Sequence, residues 1–303
     1  LADIRLLVKY LRIIKQIKPD LVLTYTIKPN VYGGMICSIL KTPYIATITG
    51  LGTSIENNGF LRRLSLSLYK HSLGKAARIF FQNKANRDLF THKKLVRLDK
   101  VRLIPGSGVN LDDHCMEKYP EEDGRIRFLY LGRIMKDKGI NELFKAAQIV
   151  KKTYPNVEFH LVGDPEEDYQ HEIDSLVKNG VIHFHGYQKN VHSFLRNSHA
   201  IINPSYHEGM SNVLLEAAAT GRPILASKVP GCEETYDEGI SGLGFAAKNV
   251  ADLVDSIIKF INLPYVDKER MGLAGRDKME REFDRNQVVS AYLEEIQQIA
   301  GRL

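Results

Sequence analysis

Apolar positions recur along this chain with two alternating periods, and their exchange sets the expected architecture. Across Leu1 to Lys18, Ile4, Leu7, Val8, Leu11 and Ile14 fall on one face of a helix, with Lys and Arg on the other. Pro19-Asp20 stops that helix, and Leu21 to Tyr25 forms a short apolar run of the kind that becomes a buried strand. The exchange then repeats. Helices are expected over Val31–Leu40, Leu61–Leu73 and Lys84–His92, and strands over Tyr44–Thr49, Ile79–Phe81 and Val101–Ile104. Gly50-Leu51-Gly52 is a tight loop between the second strand and its helix. Strands alternating with helices call for a parallel sheet with crossover connections. A complete doubly wound domain opens on a strand and its phosphate-type turn, whereas this run opens on a helix. The first βα units of the domain are therefore expected to lie outside the chain. Leu rather than Met at residue 1 points the same way, so the lack of a targeting segment says little.

A second α/β run follows a candidate linker made of Gly106 to Asn110 and the acidic Glu117 to Asp123. Its expected strands are Ile126–Leu131, Val157–Val162, Val181–Phe184, Ala200–Asn203 and Pro223–Ala226. Its expected helices are Ile140–Tyr154, Glu167–Lys178, Val191–Asn197, Asn212–Thr220 and Ala251–Asn262, with Asp267–Phe283 and Asn286–Ile299 closing the chain. There is no solenoid-type repeat and no low-complexity tract.

Length changes this picture little: 303 residues suit two domains. Charge changes it more. Residues 1–111 hold 19 Lys and Arg against 5 Asp and Glu, while residues 112–303 hold 23 against 31. A basic part is thus joined to an acidic one. The basic part suits an anionic membrane surface, a pyrophosphate or a nucleic acid, or is a solvated Lys-rich face. No apolar run reaches the length of a bilayer span. Cys37, Cys115 and Cys232 are few, odd in number and widely spaced, which fits a reducing compartment better than a disulfide framework or a zinc site.

Two stretches carry candidate chemistry. In Leu131 to Gly139, a strand ends, Gly132 turns the chain, and Arg133 and Lys138 flank the loop before a helix. An Arg fork and a Lys point charge together suit a pyrophosphate, although cations at such turns are often simply solvated. In Tyr206 to Ser227, loop, helix, Gly turn and strand follow one another, with Glu208 in the loop and Glu216 eight positions on. Gly209 lets backbone approach a ligand. Ser211, Asn212 and Val213 open the helix, where N–H groups without intrahelical partners bind phosphate oxygens. Glu216, about one turn in, can accept two hydrogen bonds from a ribose diol. The plainer alternative makes Ser211 a helix cap and both Glu residues solvated. His183 and His185 share a strand face with Phe184 between them, but no third metal ligand suggests itself in the sequence, and a strand-surface pair accounts for them. His207 either lines the cleft beside Glu208 or caps the loop. The Tyr- and Phe-bearing helices suit core rather than base stacking, so nucleic acid is not an expected partner.

The loop LGRIMKDKG, the segment EGMSNVLLE and the following GRPILAS together resemble retaining GT-B glycosyltransferases of glycosyltransferase family 4. TYTIKPN, with Lys28, and TITGLG, with Thr49 and Gly50, resemble the capsular-polysaccharide and lipid-linked-oligosaccharide members. The resemblance runs over nearly the whole chain. It implies an α/β protein of two Rossmann-like domains across a cleft: an incomplete acceptor-side domain at 1–111, a donor-binding domain at 112–285, and a helix at 286–303 crossing back to the first. The implied activity is that of a retaining hexosyltransferase, moving a sugar from a nucleotide diphosphate, expected to be UDP, to a polyprenyl-diphosphate-linked glycan in bacterial surface polysaccharide synthesis.

By the same resemblance Arg133 and Lys138 neutralise the donor diphosphate and Glu208 binds hydroxyls of the donor sugar. The amides of Gly209, Met210, Ser211, Asn212 and Val213 hold sugar and phosphate, and Glu216 the ribose. Asp164 and Tyr187 stand near the nucleoside, and Lys28, Thr49 and Gly50 on the acceptor side. No metal or other cofactor is implied, the UDP-sugar being a co-substrate, and no protein general base is assigned. The family's Gly-rich first loop is absent, and Thr49 stands where many members place a His before Gly. The implied location is cytoplasmic, peripheral on the inner membrane, with the basic part against anionic headgroups. Two rival readings remain open here: a UDP-sugar 2-epimerase of the same architecture, and a non-catalytic module binding nucleic acid or a sugar nucleotide.

Overall fold

The computed structural model describes residues 2–50 and 60–301. Leu51 and Gly52 of the expected tight loop lie outside the described residues. The chain divides into two compact units, residues 1–107 with 286–303, and residues 108–285.

The first unit is a four-stranded parallel sheet in the order β1-β2-β3-β4, formed by Val22–Tyr25, Tyr44–Ile48, Arg78–Phe81 and Val101–Leu103. Strand alternation splits its apolar residues between two cores. Tyr44, Ala46, Ile48, Ile79 and Phe81 pack with α1 (Ala2–Ile17), α2 (Gly34–Leu40), α3 (Phe60–Leu73) and α4 (Lys84–His92). Ile45 and Phe80 on the other face meet Ile104, Val288 and Ala291, the last two from the closing helix Arg285–Ala300. Arg78 fixes that helix through a 2.6 Å ion pair to Glu295, and Arg102 through one of 2.7 Å to Glu294. The helix expected from Val31 opens differently: Pro29–Gly33 forms a π turn, and α-helix begins only at Gly34. Asn30 is buried beneath that turn, donating from Nδ2 to the Thr47 carbonyl at 2.7 Å and accepting from Thr24 Oγ1 at 2.7 Å.

The second unit is a six-stranded parallel sheet in the order β10-β9-β8-β5-β6-β7. Its strands are β5 (Ile126–Leu131), β6 (Val157–Val162), β7 (His183–Phe184), β8 (Ala200–Asn203), β9 (Ile224–Ser227) and β10 (Gly242–Phe245). The chain runs outward from β5 through β6 to β7, then returns to the other side of β5 and runs outward again. The strand order therefore reverses between β5 and β8, the place where open α/β sheets form a ligand crevice at the carboxyl ends.

One sheet face packs Phe128, Phe159, Ile202, Leu225 and Phe245 against α5 (Ile140–Thr153) and α9 (Val250–Ile261). In α9, Leu253, Ile257 and Phe260 recur at helical spacing and are fully buried, each contributing roughly 1.5–3 kcal/mol. The other face packs Leu129, Leu131, Ile201 and Ala226 against α7 (His192–Asn197) and α8 (Asn212–Ala219).

Two findings depart from the sequence reading. Strand β10 was not expected, and its glycines explain why. A Cβ on Gly242 would lie 2.6 Å from the Ile224 carbonyl, and one on Gly244 2.5 Å from Lys228 Cε, so close packing removes the side chains that mark a strand. The expected linker, in turn, is strapped to the second unit. The Val109 N–H donates to the Phe283 carbonyl at 2.8 Å, and Tyr119 is buried with its hydroxyl donating to the His199 carbonyl at 2.8 Å. Arg222 is fully buried and donates to the carbonyls of Glu117 and Lys118 at 2.7 and 2.9 Å. Burial pushes its guanidinium down to about 10.

Candidate active site

The loops that leave β5, β6 and β8 are stitched to one another by backbone. The Gly132 N–H donates to the Val162 carbonyl at 3.0 Å, and the Ile134 N–H to that of Asp164 at 2.9 Å. On the other side the Tyr206 N–H donates to the Asp137 carbonyl at 3.0 Å. Two glycines make the fit possible. Gly163, at φ +141°, would place a Cβ 1.9 Å from the Gly132 oxygen. Gly139, at φ +71°, would place one 2.0 Å from the Pro204 oxygen.

This stitching brings Lys138 to Glu208. The ammonium lies 2.5 Å from Glu208 Oε1, and both side chains are largely buried. Ser205 Oγ donates to the same carboxylate oxygen at 2.8 Å. Ser205 was not singled out in the sequence; the run Asn203-Pro204-Ser205 at the strand end is the signal that could have found it. Gly231 closes over the loop from the far side, its carbonyl accepting the Ser211 N–H at 2.8 Å. A Cβ there would lie 2.8 Å from the Glu208 and Gly209 oxygens.

Arg133 is not in this cluster. Its guanidinium makes a 2.7 Å ion pair with Glu166, and both side chains are about half exposed. Its backbone is held by Tyr130, whose hydroxyl donates to the Arg133 carbonyl at 2.7 Å. Asp164 and Tyr187 do meet, the Tyr187 N–H donating to Asp164 Oδ1 at 3.0 Å, while the Tyr187 ring is exposed.

Ser211 sits at the N-cap of α8 but makes no capping bond; its hydroxyl instead accepts from Asn203 Nδ2 at 2.8 Å. Its amide donates to the Gly231 carbonyl. Met210 is buried in the core beneath α8, and Val213 packs against that core, so neither side chain is offered to a ligand. Asn212 and Val213 occupy the first two helical positions of α8, at the positive end of the helix dipole.

Glu216 stands on the fifth position of α8, half-buried. Its carboxylate makes no hydrogen bond or ion pair among the described residues. Burial raises its pKa above the ordinary value, and the charge of Arg285 offsets this in part. A half-buried carboxylate with open acceptors is suited to a pair of hydroxyls.

In the first unit, Lys28 makes an exposed 3.3 Å ion pair with Asp3, and Thr49 and Gly50 follow β2, Gly50 at φ +147°.

The profile of glycosyl transferases group 1 matches residues 113–278, and that of glycosyl transferase 4-like proteins matches residues 2–83. The chain belongs to the group 1 glycosyltransferases. Membership answers the epimerase and binding-module readings in favour of a transferase. The glycosyltransferase is 27% identical over 300 residues to the N,N'-diacetylbacillosaminyl-diphospho-undecaprenol alpha-1,3-N-acetylgalactosaminyltransferase of Campylobacter jejuni, covering 93% of this chain and 78% of that one. It is 24% identical over 309 residues to the capsular polysaccharide biosynthesis glycosyltransferase CapM of Staphylococcus aureus, covering 97% and 80%. Its fold is similar to that of Anabaena HepE, crystallised with UDP, at a TM-score of 0.81, 17% identity and coverage of 97% and 82%. The sucrose-phosphate synthase of Thermosynechococcus elongatus is equally similar, at 0.81 with 21% identity and coverage of 98% and 79%. The fold is thus GT-B, with its two parallel sheets.

Proposed function

We propose that this glycosyltransferase moves a hexose from a UDP-sugar, with retention, to a polyprenyl-diphosphate-linked glycan. The observation that carries the donor assignment is Glu216, an unpartnered and half-buried carboxylate on the same loop-helix segment as the Lys138–Glu208 pair. Its two oxygens accept from the ribose diol of the nucleotide. Lys138 and Arg133 supply positive charge to the diphosphate as it leaves, the amides of Asn212 and Val213 and the helix dipole add to it, and Glu208 orients the sugar hydroxyls. Asp164 and Tyr187 stand toward the nucleoside. In the transfer, the bond from the anomeric carbon to the diphosphate breaks. The bond to the acceptor oxygen forms on the same face, and the acceptor proton passes to the departing phosphate oxygen. No protein base is required by that scheme.

A lipid-linked acceptor is supported by the Campylobacter relative, whose name specifies a diphospho-undecaprenol substrate. It is also supported by α1, where Ile4 and Val8 are exposed beside Arg5, Lys9 and Arg12. An apolar and cationic helix face suits peripheral contact with an anionic leaflet on the cytoplasmic side. Lys28, Thr49 and Gly50 are assigned to the acceptor side.

Calorimetry with UDP tests the donor assignment. Wild-type protein is expected to bind UDP, and Glu216→Ala and Lys138→Ala to weaken binding about tenfold to hundredfold, as loss of hydrogen bonds to charged groups does. Unchanged affinity in both variants would show that the donor lies elsewhere.

A further inference from the structure

We infer that Glu158, His160 and His183 form a site for a divalent transition-metal cation of the zinc class, separate from the donor loops. Glu158 and His160 alternate on one face of β6, and His183 lies directly across from His160 in the register with β7. Their ligand atoms all fall within 4.8 Å of one another. Two nitrogens and a carboxylate oxygen make the donor set of an open zinc site, and borderline imidazole favours zinc over magnesium or calcium.

The distances fit. His160 Nε2 lies 3.3 Å from Glu158 Oε2, close to the edge of about 3.3 Å in a tetrahedron with ligand bonds of about 2.0–2.1 Å. His183 is exposed, its ligand nitrogen within 4.8 Å of the other two ligand atoms; its ring stacks on that of His160 at 4.7 Å between centroids, so binding requires it to turn out of the stack. The far side of His160 is held as metal-binding imidazoles usually are. His160 Nδ1 and His185 Nε2 share a 3.0 Å hydrogen bond, and the planes of the two rings are parallel within 4°. Without metal, His160 Nε2 hydrogen-bonds Glu158 at 3.3 Å; a cation taken up between them displaces that proton and leaves Nδ1 to donate to His185. His183 and His185 thus take different places, one as ligand and one as the partner that orients His160.

Glu158 also serves two cations, Arg125 at 3.2 Å and Arg127 at 3.4 Å. Arg127 has a second carboxylate in Asp123, so it can give up Glu158 Oε2 when metal arrives. The consequence of occupancy is mechanical. Strand β7 is only two residues long and lies at the sheet edge. A metal clip joins it to β6 and steadies the following turn, whose Tyr187 N–H is bonded to Asp164.

Zinc titration of the full chain, free of any histidine tag, in competition with a chromophoric chelator tests the site. One Zn2+ per chain is expected, with a rise in melting temperature on binding. His183→Ala, at an exposed position that leaves the core untouched, is expected to weaken binding by more than about a hundredfold, and His185→Ala by about tenfold to a hundredfold. Cys115→Ser, at the exposed thiol, is expected to change nothing. Equal affinity in wild type and His183→Ala, dependence on Cys115, or no stoichiometric zinc would overturn the site.

Discussion

Glu216 holds a carboxylate that burial disfavours and that no hydrogen-bonding partner among the described residues compensates. Its raised folded pKa has a definite sign in stability. Between the ordinary value of 4.5 and the raised one, the folded chain holds more protons than the unfolded chain, so stability falls as pH rises through that window and stays lower above it. Glu216→Gln is therefore expected to stabilise the protein at neutral pH and to lose that advantage below about pH 4.5. The same change is expected to weaken UDP binding about tenfold, because the amide cannot accept from two hydroxyls in the way a carboxylate does. Urea midpoints across pH, beside calorimetry, check both halves. A variant less stable at neutral pH would mean that Glu216 already has a structural partner.

At the scale of elements, β5 and β8 define where the sheet reverses, and His199 couples their amino ends. His199 Nδ1 accepts the Arg127 N–H at 3.0 Å, and the His199 N–H donates to the Arg127 carbonyl at 2.8 Å. The ring is buried, and burial, helped by Arg127, pulls its pKa down to about 4. Below the ordinary 6.5 the unfolded chain takes up a proton that the folded chain resists, so this residue costs stability as pH falls from 6.5 toward about 4. The loss approaches about 3 kcal/mol at the acid end. His199→Asn keeps an acceptor for the Arg127 N–H and does not titrate. Its urea stability relative to wild type is expected to climb across that window, and a constant difference would contradict the assignment.

The same elements show what the sequence could and could not convey. Strands β5, β6 and β8 were legible to the residue because their apolar runs are bounded by Gly, Pro and Asn. Arg133, Lys138 and Glu208 stand out in the sequence as donor candidates because they sit at strand-to-helix junctions, where position along the chain suggests chemistry, and Glu216 because it lies one turn into the helix that follows. Strand β10 was not legible, since two of its four residues are glycines fitted against neighbours distant in sequence. Nor was the pairing of Lys138 with Glu208, of Arg133 with Glu166, or of His160 with His185. Each depends on which strands become neighbours, and that order is set by packing of the whole sheet rather than by local pattern.

For the whole molecule, the contrast between a basic first part and an acidic remainder suits the proposal that the first part meets an anionic membrane and the second binds the donor. No helix among the described residues is long and apolar enough to cross a membrane. The proposed membrane contact is electrostatic in large part, at about 1 kcal/mol per cation near the surface. Flotation with vesicles containing anionic lipid is expected to recover the protein at low salt and release it at high salt, and Ile4→Asp with Val8→Asp is expected to abolish recovery. Recovery on neutral vesicles to the same extent would remove the electrostatic part of the account.

The central claim is transfer from a UDP-sugar to a lipid-linked glycan with retention. A panel of UDP-sugars incubated with a polyprenyl-diphosphate-linked oligosaccharide, with UDP release followed and the product anomer read by NMR, tests it most directly. The account predicts that one UDP-sugar releases UDP only when acceptor is present, that the new linkage keeps the donor's anomeric configuration, and that Glu208→Gln lowers the rate about a hundredfold or more. An inverted linkage, or interconversion of UDP-sugars without acceptor, would contradict it.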